Sequence, residues 1–142
     1  FSYTYTDYAF KDFQDGGSNY SGNDLPGIPE HKISLALTGN MPQGIYANLN
    51  WLHVGKMPMN DGNTLHSDSY SSFDLKAGIR HSFNQRWRIH LYGGIRNLTD
   101  NHYASMILIN APSFGGAPPR YYYPAEPRSY FGGVSLRYAF EP

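Results

Sequence analysis

Two stretches of this chain hold side chains able to grip a small molecule. Gly55–Ser69 carries Lys56, Met57, Met59, Asp61, Asn63 and His66. Met57-x-Met59 with His66 is a soft donor set of a kind that suits copper. The spacing matches no tight metal motif, however, and Met beside Pro in a loop is more often a packing contact, so no metal or cofactor is expected. The second stretch, Leu98–Arg128, contains Arg120-Tyr121-Tyr122-Tyr123. A guanidinium beside phenol rings offers stacking, cation–π contact and charge-assisted hydrogen bonds, which suit an anionic, ring-bearing ligand. Catalytic chemistry is poorly served. The six His are scattered, with His31 and His81 at predicted strand ends, His90 on a strand face, and His53, His66 and His102 at or in loops. No Ser sits in a nucleophile elbow, and neither H-E-x-x-H nor a glycine-rich phosphate loop occurs. A Ser, His and Asp set assembled only in space is the remaining enzymatic alternative. Asp74 and His90 fall on neighbouring predicted strands, where a structural contact explains them equally well. The chain reads as a non-enzyme.

The elements that must position these loops are strands. Ser129–Phe140 alternates, with Tyr130, Gly132, Val134, Leu136, Tyr138 and Phe140 on one parity and Ser129, Phe131, Gly133, Ser135, Arg137 and Ala139 on the other. Period-2 alternation sends the two sets to opposite faces. Similar patterns predict strands over Phe1–Phe13, where the alternation slips at Asp7–Tyr8, and over Lys32–Thr38, Gly44–Val54, Tyr70–Phe83 and Arg86–Asn97. No stretch has a helical period. Asp74, Lys76, Arg80, Arg88, Arg96 and Arg137 all fall opposite the apolar parity. Placing Arg or Lys on a lipid-facing side costs ~2–4 kcal/mol at mid-membrane. A soluble sandwich would share this parity.

Loop lengths separate the two cases. Gly39–Gln43 and Asn84–Gln85 are tight turns, whereas Gln14–Glu30, Gly55–Ser69 and Leu98–Arg128 are long links rich in Gly, Pro, Asn, Ser and Tyr. Loops beyond about 12–15 residues are uncommon in compact domains. Short turns at one end and long loops at the other characterise outer-membrane barrels, with the turns periplasmic. Trp51, Trp87, Tyr138 and Phe140 sit near predicted strand ends, where lipid-interface aromatics lie. A Trp capping a soluble core is the plainer alternative.

Composition agrees. Among 142 residues the formal net charge is +0, aromatics make up 16%, and there is no Cys. Balanced charge argues against nucleic acid as a partner. The low mean hydropathy, with no apolar run near the ~20 residues of a spanning helix, excludes only helical membrane proteins. Without Cys there is no disulfide framework. Phe1 opens directly into a strand-like pattern with no leader, as in a piece of a longer chain. The expected fold is all-β, an antiparallel up-and-down transmembrane β-barrel segment of about six strands.

Several motifs carry a resemblance. Gly94-Ile95-Arg96-Asn97-Leu98-Thr99-Asp100-Asn101-His102-Tyr103 resembles the G-x-x-N-L-(F/T)-D-x-x-Y segment near the C-terminus of TonB-dependent outer-membrane receptors. Leu25-Pro26-Gly27-Ile28-Pro29-Glu30-His31-Lys32 is similar to the P-G-x-P-x-H start of an earlier barrel strand in that family. Arg128-Ser129-Tyr130-Phe131-Gly132-Gly133 resembles its last strand. Gly133-x-x-Leu136-x-Tyr138-x-Phe140 is similar to the terminal signal read by the barrel-assembly machinery, although Glu141-Pro142 follow where the family usually ends on the aromatic.

The resemblance implies that residues 1–142 are the C-terminal part of a barrel of about 22 strands closed by an N-terminal plug. The plug, the TonB-binding box and the earlier strands are absent from this sequence. It implies a bacterial outer-membrane receptor among lipid and lipopolysaccharide, coupled through TonB, taking up a scarce ligand, by default a ferric siderophore. In the family, cargo meets the plug apices and the outer loops, making Lys56, Met57, Met59, Asp61, His66, Arg120, Tyr121, Tyr122 and Tyr123 the candidate ligand contacts. Tyr-rich loops also occur at lipopolysaccharide level. Arg88, Arg96 and Arg137 are expected to pair with plug or barrel carboxylates. The alternative is a self-contained small β-barrel or adhesin-like structural protein without transport activity. About six strands fall short of the usual minimum of about eight for a membrane barrel.

Overall fold

Alternating residues with β-branched and aromatic side chains favour extended, paired backbone, and the long runs here do pair. The computed structural model describes residues 1–140; Glu141 and Pro142, where the sequence departs from the family's terminal pattern, lie outside the described residues. Six strands form one sheet: β1 (Ser2–Tyr5), β2 (His31–Asn40), β3 (Ile45–Val54), β4 (Tyr70–Phe83), β5 (Trp87–Arg96) and β6 (Ser129–Tyr138). They lie side by side in chain order, every pair antiparallel, with β1 and β6 at the two edges.

The predicted first strand is corrected. The run Phe1–Phe13 is a strand only over Ser2–Tyr5. Thr6 N–H makes a further bond to the Glu30 carbonyl, 2.9 Å, after which the chain leaves the sheet. The alternation slips there, and Gly16 and Gly17, both at positive φ, turn the chain into a small hairpin, Gln14–Asp15 with Ser18–Asn19. Phe10, Phe13 and Tyr20 stack within that loop, with Phe10 and Phe13 ring centres 4.6 Å apart. Local aromatic packing takes the residues that the pattern would give to the sheet.

The short connections lie at one end. Met41–Gly44 joins β2 to β3, and a 3-10 turn, Asn84–Arg86, joins β4 to β5. Gly44 has φ +83°, and a Cβ there would collide with the Arg80 carbonyl, so this turn docks on β4 only with glycine. The long links lie at the other end. Each contains a ribbon of its own: the hairpin already described in the first, Met57–Pro58 with His66–Ser67 in the second and Ala104–Ile107 with Tyr122–Pro124 in the third.

Register fixes the faces. On one, Leu35–Trp51–Phe73, Leu37–Leu49–Leu75–Ile95–Tyr130 and Ile45–Ile79–Leu91–Val134 run as cross-strand rows. This apolar face is open to its surroundings, with Val134 70% and Leu136 62% exposed. The opposite face carries Asn48, Asn50, Asp74, Lys76, Arg80, Arg88, His90, Arg96 and Arg137. A single layer has no core of its own, and the only apolar residues buried among those described are Tyr46, Val54 and Ala111.

On the polar face, three rings reach across to glycines paired with them on the next strand. Tyr46 covers Gly78, Tyr92 covers Gly133, and Phe131 covers Gly94. A Cβ at Gly78 would stand 2.7 Å from the Tyr46 hydroxyl, far inside contact distance. Each ring also carries a cation: Arg80 over Tyr46 at 4.1 Å, Lys76 over Tyr92 at 4.4 Å and Arg96 over Phe131 at 5.4 Å. Ring on glycine restores the packing that glycine lacks, and the cation gains the ring's quadrupole.

Candidate functional site

The three long links meet above one end of the sheet and lock together through Asn and Asp side chains. Asn63, at φ 51°, accepts from Asp24 N–H at 2.7 Å and donates back to the Asp24 carbonyl at 2.9 Å, imitating a backbone pair. Asn110 does the same for Asp61, accepting from its N–H at 2.9 Å and donating to its carboxylate at 2.7 Å. The Asp61 carbonyl also accepts from Asn23, and Asn60 holds its own loop through Thr64. Gly27 N–H bonds the Pro58 carbonyl and Asn110 N–H the Met59 carbonyl. The middle link is thus tied to both its neighbours.

Beneath this network lies a cleft of ≈ 290 Å³ between the middle and last links. Met59, His66, Ser67, Tyr70, His102, Tyr103 and Tyr122 give it its character. Tyr70 belongs to the polar-face set of β4, so the cleft sits at the mouth of that face. Tyr70 and Tyr103 stack at 4.0 Å with planes 11° apart, forming a flat aromatic floor. Ser67 Oγ is buried here without a hydrogen-bond partner.

Of the residues the sequence nominates, Met59, His66 and Tyr122 line this cleft. Lys56 lies in a neighbouring cleft of ≈ 270 Å³ with Asp7, Asp24 and Glu30, where His66 also contributes. Met57 pairs with Ser67 in the ribbon but reaches neither cleft. Asp61 is engaged in the loop lock. Arg120, Tyr121 and Tyr123 line neither cleft; the Tyr121 carbonyl accepts from Leu108, and Tyr123 pairs with Met106. Among the described residues no group of three or more His, Asp or Glu is placed to hold a metal ion. Sequence reasoning missed Ser67, Tyr70, His102 and Tyr103 as one set. Only the adjacency of His102-Tyr103 hinted at it, since the burial of Ser67 arises from a ribbon that no periodicity announces.

The segment following β5 has a structural role. Asn97 is 3% exposed with φ 49°; its N–H donates to Asp74, and its side chain donates to the Asn101 and Glu126 carbonyls and accepts from Asn101 N–H. Asp100 accepts from Arg128 N–H at 2.8 Å, and Asn101 donates to the Ser71 carbonyl at 2.6 Å. The turn therefore joins β4, β5 and the chain leading into β6. The four aromatics that the sequence nominates for the lipid interface lie toward the two ends of the apolar face. Trp87 and Tyr138 rings are 4.7 Å apart, and Phe140 meets Tyr138 edge-on at the short-turn end. Trp51 stacks on Phe73 toward the loop end.

A family model described as TonB dependent receptor-like, beta-barrel, matches residues 1–98. The chain belongs to this family. TonB-dependent receptors are outer-membrane transporters of Gram-negative bacteria, not enzymes. The apolar face is accordingly the lipid side and the polar face the lumen side. Solved receptors share the fold. BauA, the ferric preacinetobactin receptor of Acinetobacter baumannii, superposes with TM-score 0.73 at 22% identity, over 94% of this chain and 18% of that one. The siderophore receptor PiuA of the same organism gives 0.72 at 22% identity, over 95% and 18%. FyuA, the ferric yersiniabactin uptake receptor of Yersinia pestis, gives 0.56 at 22% identity, over 86% and 18%. The chain thus spans under one-fifth of the length of each of these receptors.

Proposed function

We propose that this chain is the C-terminal wall of a TonB-dependent outer-membrane receptor that takes up a ferric siderophore. Its remaining strands and plug complete the lumen, TonB supplies energy from the inner membrane, and the last strand engages the barrel-assembly machinery. Lipid and lipopolysaccharide surround the apolar face. Family membership and the receptors named above support the class. The observation that carries cargo contact is the aromatic cleft at the lumen mouth, where Tyr70, Tyr103 and Tyr122 stand with His66 and His102. Phenol rings stack on catecholate or heteroaryl groups of a chelate, while His66 and His102 donate to its anionic oxygens.

The test is titration of the full-length receptor in detergent with a panel of ferric chelates, followed by tryptophan fluorescence. Tyr122→Ala should weaken the binding of the chelate that binds best by about tenfold, as expected for one lost aromatic contact of ~1–1.5 kcal/mol. Ser67→Ala should weaken it less. Tight binding unchanged by both substitutions would move cargo away from this cleft, and failure of every chelate to bind would remove the siderophore reading.

A further inference from the structure

Near the short-turn end of the lumen face, two adjacent cross-strand rows read Arg80–His90–Ser135 and Ser82–Arg88–Arg137. These six residues line a depression of ≈ 410 Å³. His81 and Ile89 complete its lining, while the six supply mainly donors: three guanidinium forks, an imidazole and two hydroxyls. Arg88 and Arg137 are direct partners across the ladder, and like charges directly opposite destabilise a sheet. One neighbour, Tyr46, fixes the geometry of two members. Arg80 is held over the Tyr46 ring at 4.1 Å, and the Tyr46 hydroxyl bonds His90 Nε2 at 2.7 Å. Among the described residues the ion pairs are Glu30–His31 and Glu126–Arg96, so none involves these three arginines. The lumen-face carboxylate of β4, Asp74, lies six residues from Arg80, roughly 20 Å along the strand, and is committed to Asn97 N–H.

We propose that this cluster is an oxyanion site, with a carboxylate- or phosphate-type group bridging Arg88 and Arg137 while Arg80, Ser82 and Ser135 complete its donors. Guanidinium forks match the planar oxygens of such groups, and a bound oxyanion converts the repulsion between the opposed arginines into attraction. On the reading given above, which places the turns in the periplasm, the site stands where the lumen opens inward. Its oxyanion comes either from an acidic side chain of the domain filling the lumen or from a free small anion.

Unfolding temperatures of the full-length receptor separate these sources, using wild type, Arg88→Gln/Arg137→Gln and Arg88→Lys/Arg137→Lys. Chloride is replaced by inorganic phosphate at constant ionic strength. A saturable rise in wild type and the Lys pair, absent from the Gln pair, establishes a free oxyanion. No phosphate dependence, with a lower unfolding temperature for the Gln pair that the Lys pair largely restores, assigns the group to a protein carboxylate. Equal behaviour of all three proteins, or a loss in the Gln pair that Lys does not restore, overturns the site. If the Gln pair fails to fold, the phosphate response of wild type and the Lys pair decides. Ferric-chelate binding measured on the same samples keeps the cargo reading separate, since its failure leaves these outcomes legible.

Discussion

Asn97 shows how one side chain can hold several strands together. It occupies a left-handed conformation that Asn tolerates better than other non-glycine residues, and it binds two carbonyls and one N–H while nearly buried. Asn97→Ala leaves those backbone groups unpaired, at ~1–3 kcal/mol for each one that water cannot reach. Asn97→Gly relieves the backbone strain but not the lost bonds. The unfolding temperature in detergent should therefore fall for both variants, and further for Ala; equal stability to wild type would show that water replaces the side chain. The motif around Asn97 was legible in the sequence as a resemblance. Its role was not, because Asp74, Glu126 and Asn101 come together only after three strands have paired.

At the scale of the strand, alternation carried most of the fold. Tyr70–Phe83 was marked out in full by its own pattern, and β2, β3, β5 and β6 to within two residues at either end. The first strand was overextended because Phe10 and Phe13 look like strand residues until the loop's own stacking claims them. The glycine–ring–cation stacks were hidden for a related reason: they need the register, which no single strand contains. Register also makes substitutions asymmetric. Leu49 lies mid-strand on the lipid face between Leu37 and Leu75, whereas Asn48, its neighbour, faces the lumen. Leu49→Arg should cost ~2–4 kcal/mol and Asn48→Arg much less. Urea midpoints for folding into lipid vesicles measure the difference, and equal costs would contradict the assignment of faces.

For the whole molecule, the apolar face has a definite height. From the Trp51–Phe73 row to the Phe83–Trp87–Tyr138 row is about 33 Å along β4 at ~3.3 Å per residue, or ~25 Å along the membrane normal for a tilt of about 40°. That equals the ~25 Å apolar band of outer-membrane barrels. In vesicles, bromine placed at the headgroup end of the acyl chain should quench Trp51 and Trp87 more strongly than bromine at the bilayer centre. Stronger quenching from the centre would show that the girdle residues lie too deep for this reading.

The way the loops are tied to one another also provides a map for protein engineering. The Gln14–Asn19 hairpin and the Phe114–Ala117 turn project from the assembly, and no hydrogen bond from either reaches another link among the described residues. Asn60–Leu65 is the hub through which both neighbouring links are held. A peptide epitope or fluorophore tag inserted after Gly16 or Gly115 should be displayed on the cell without disturbing the receptor. The same insertion after Gly62 would break the Asn63–Asp24 and Asp61–Asn110 ties and leave the links to the Gly27–Pro58 and Asn110–Met59 backbone bonds, turning a labelling site into a release catch.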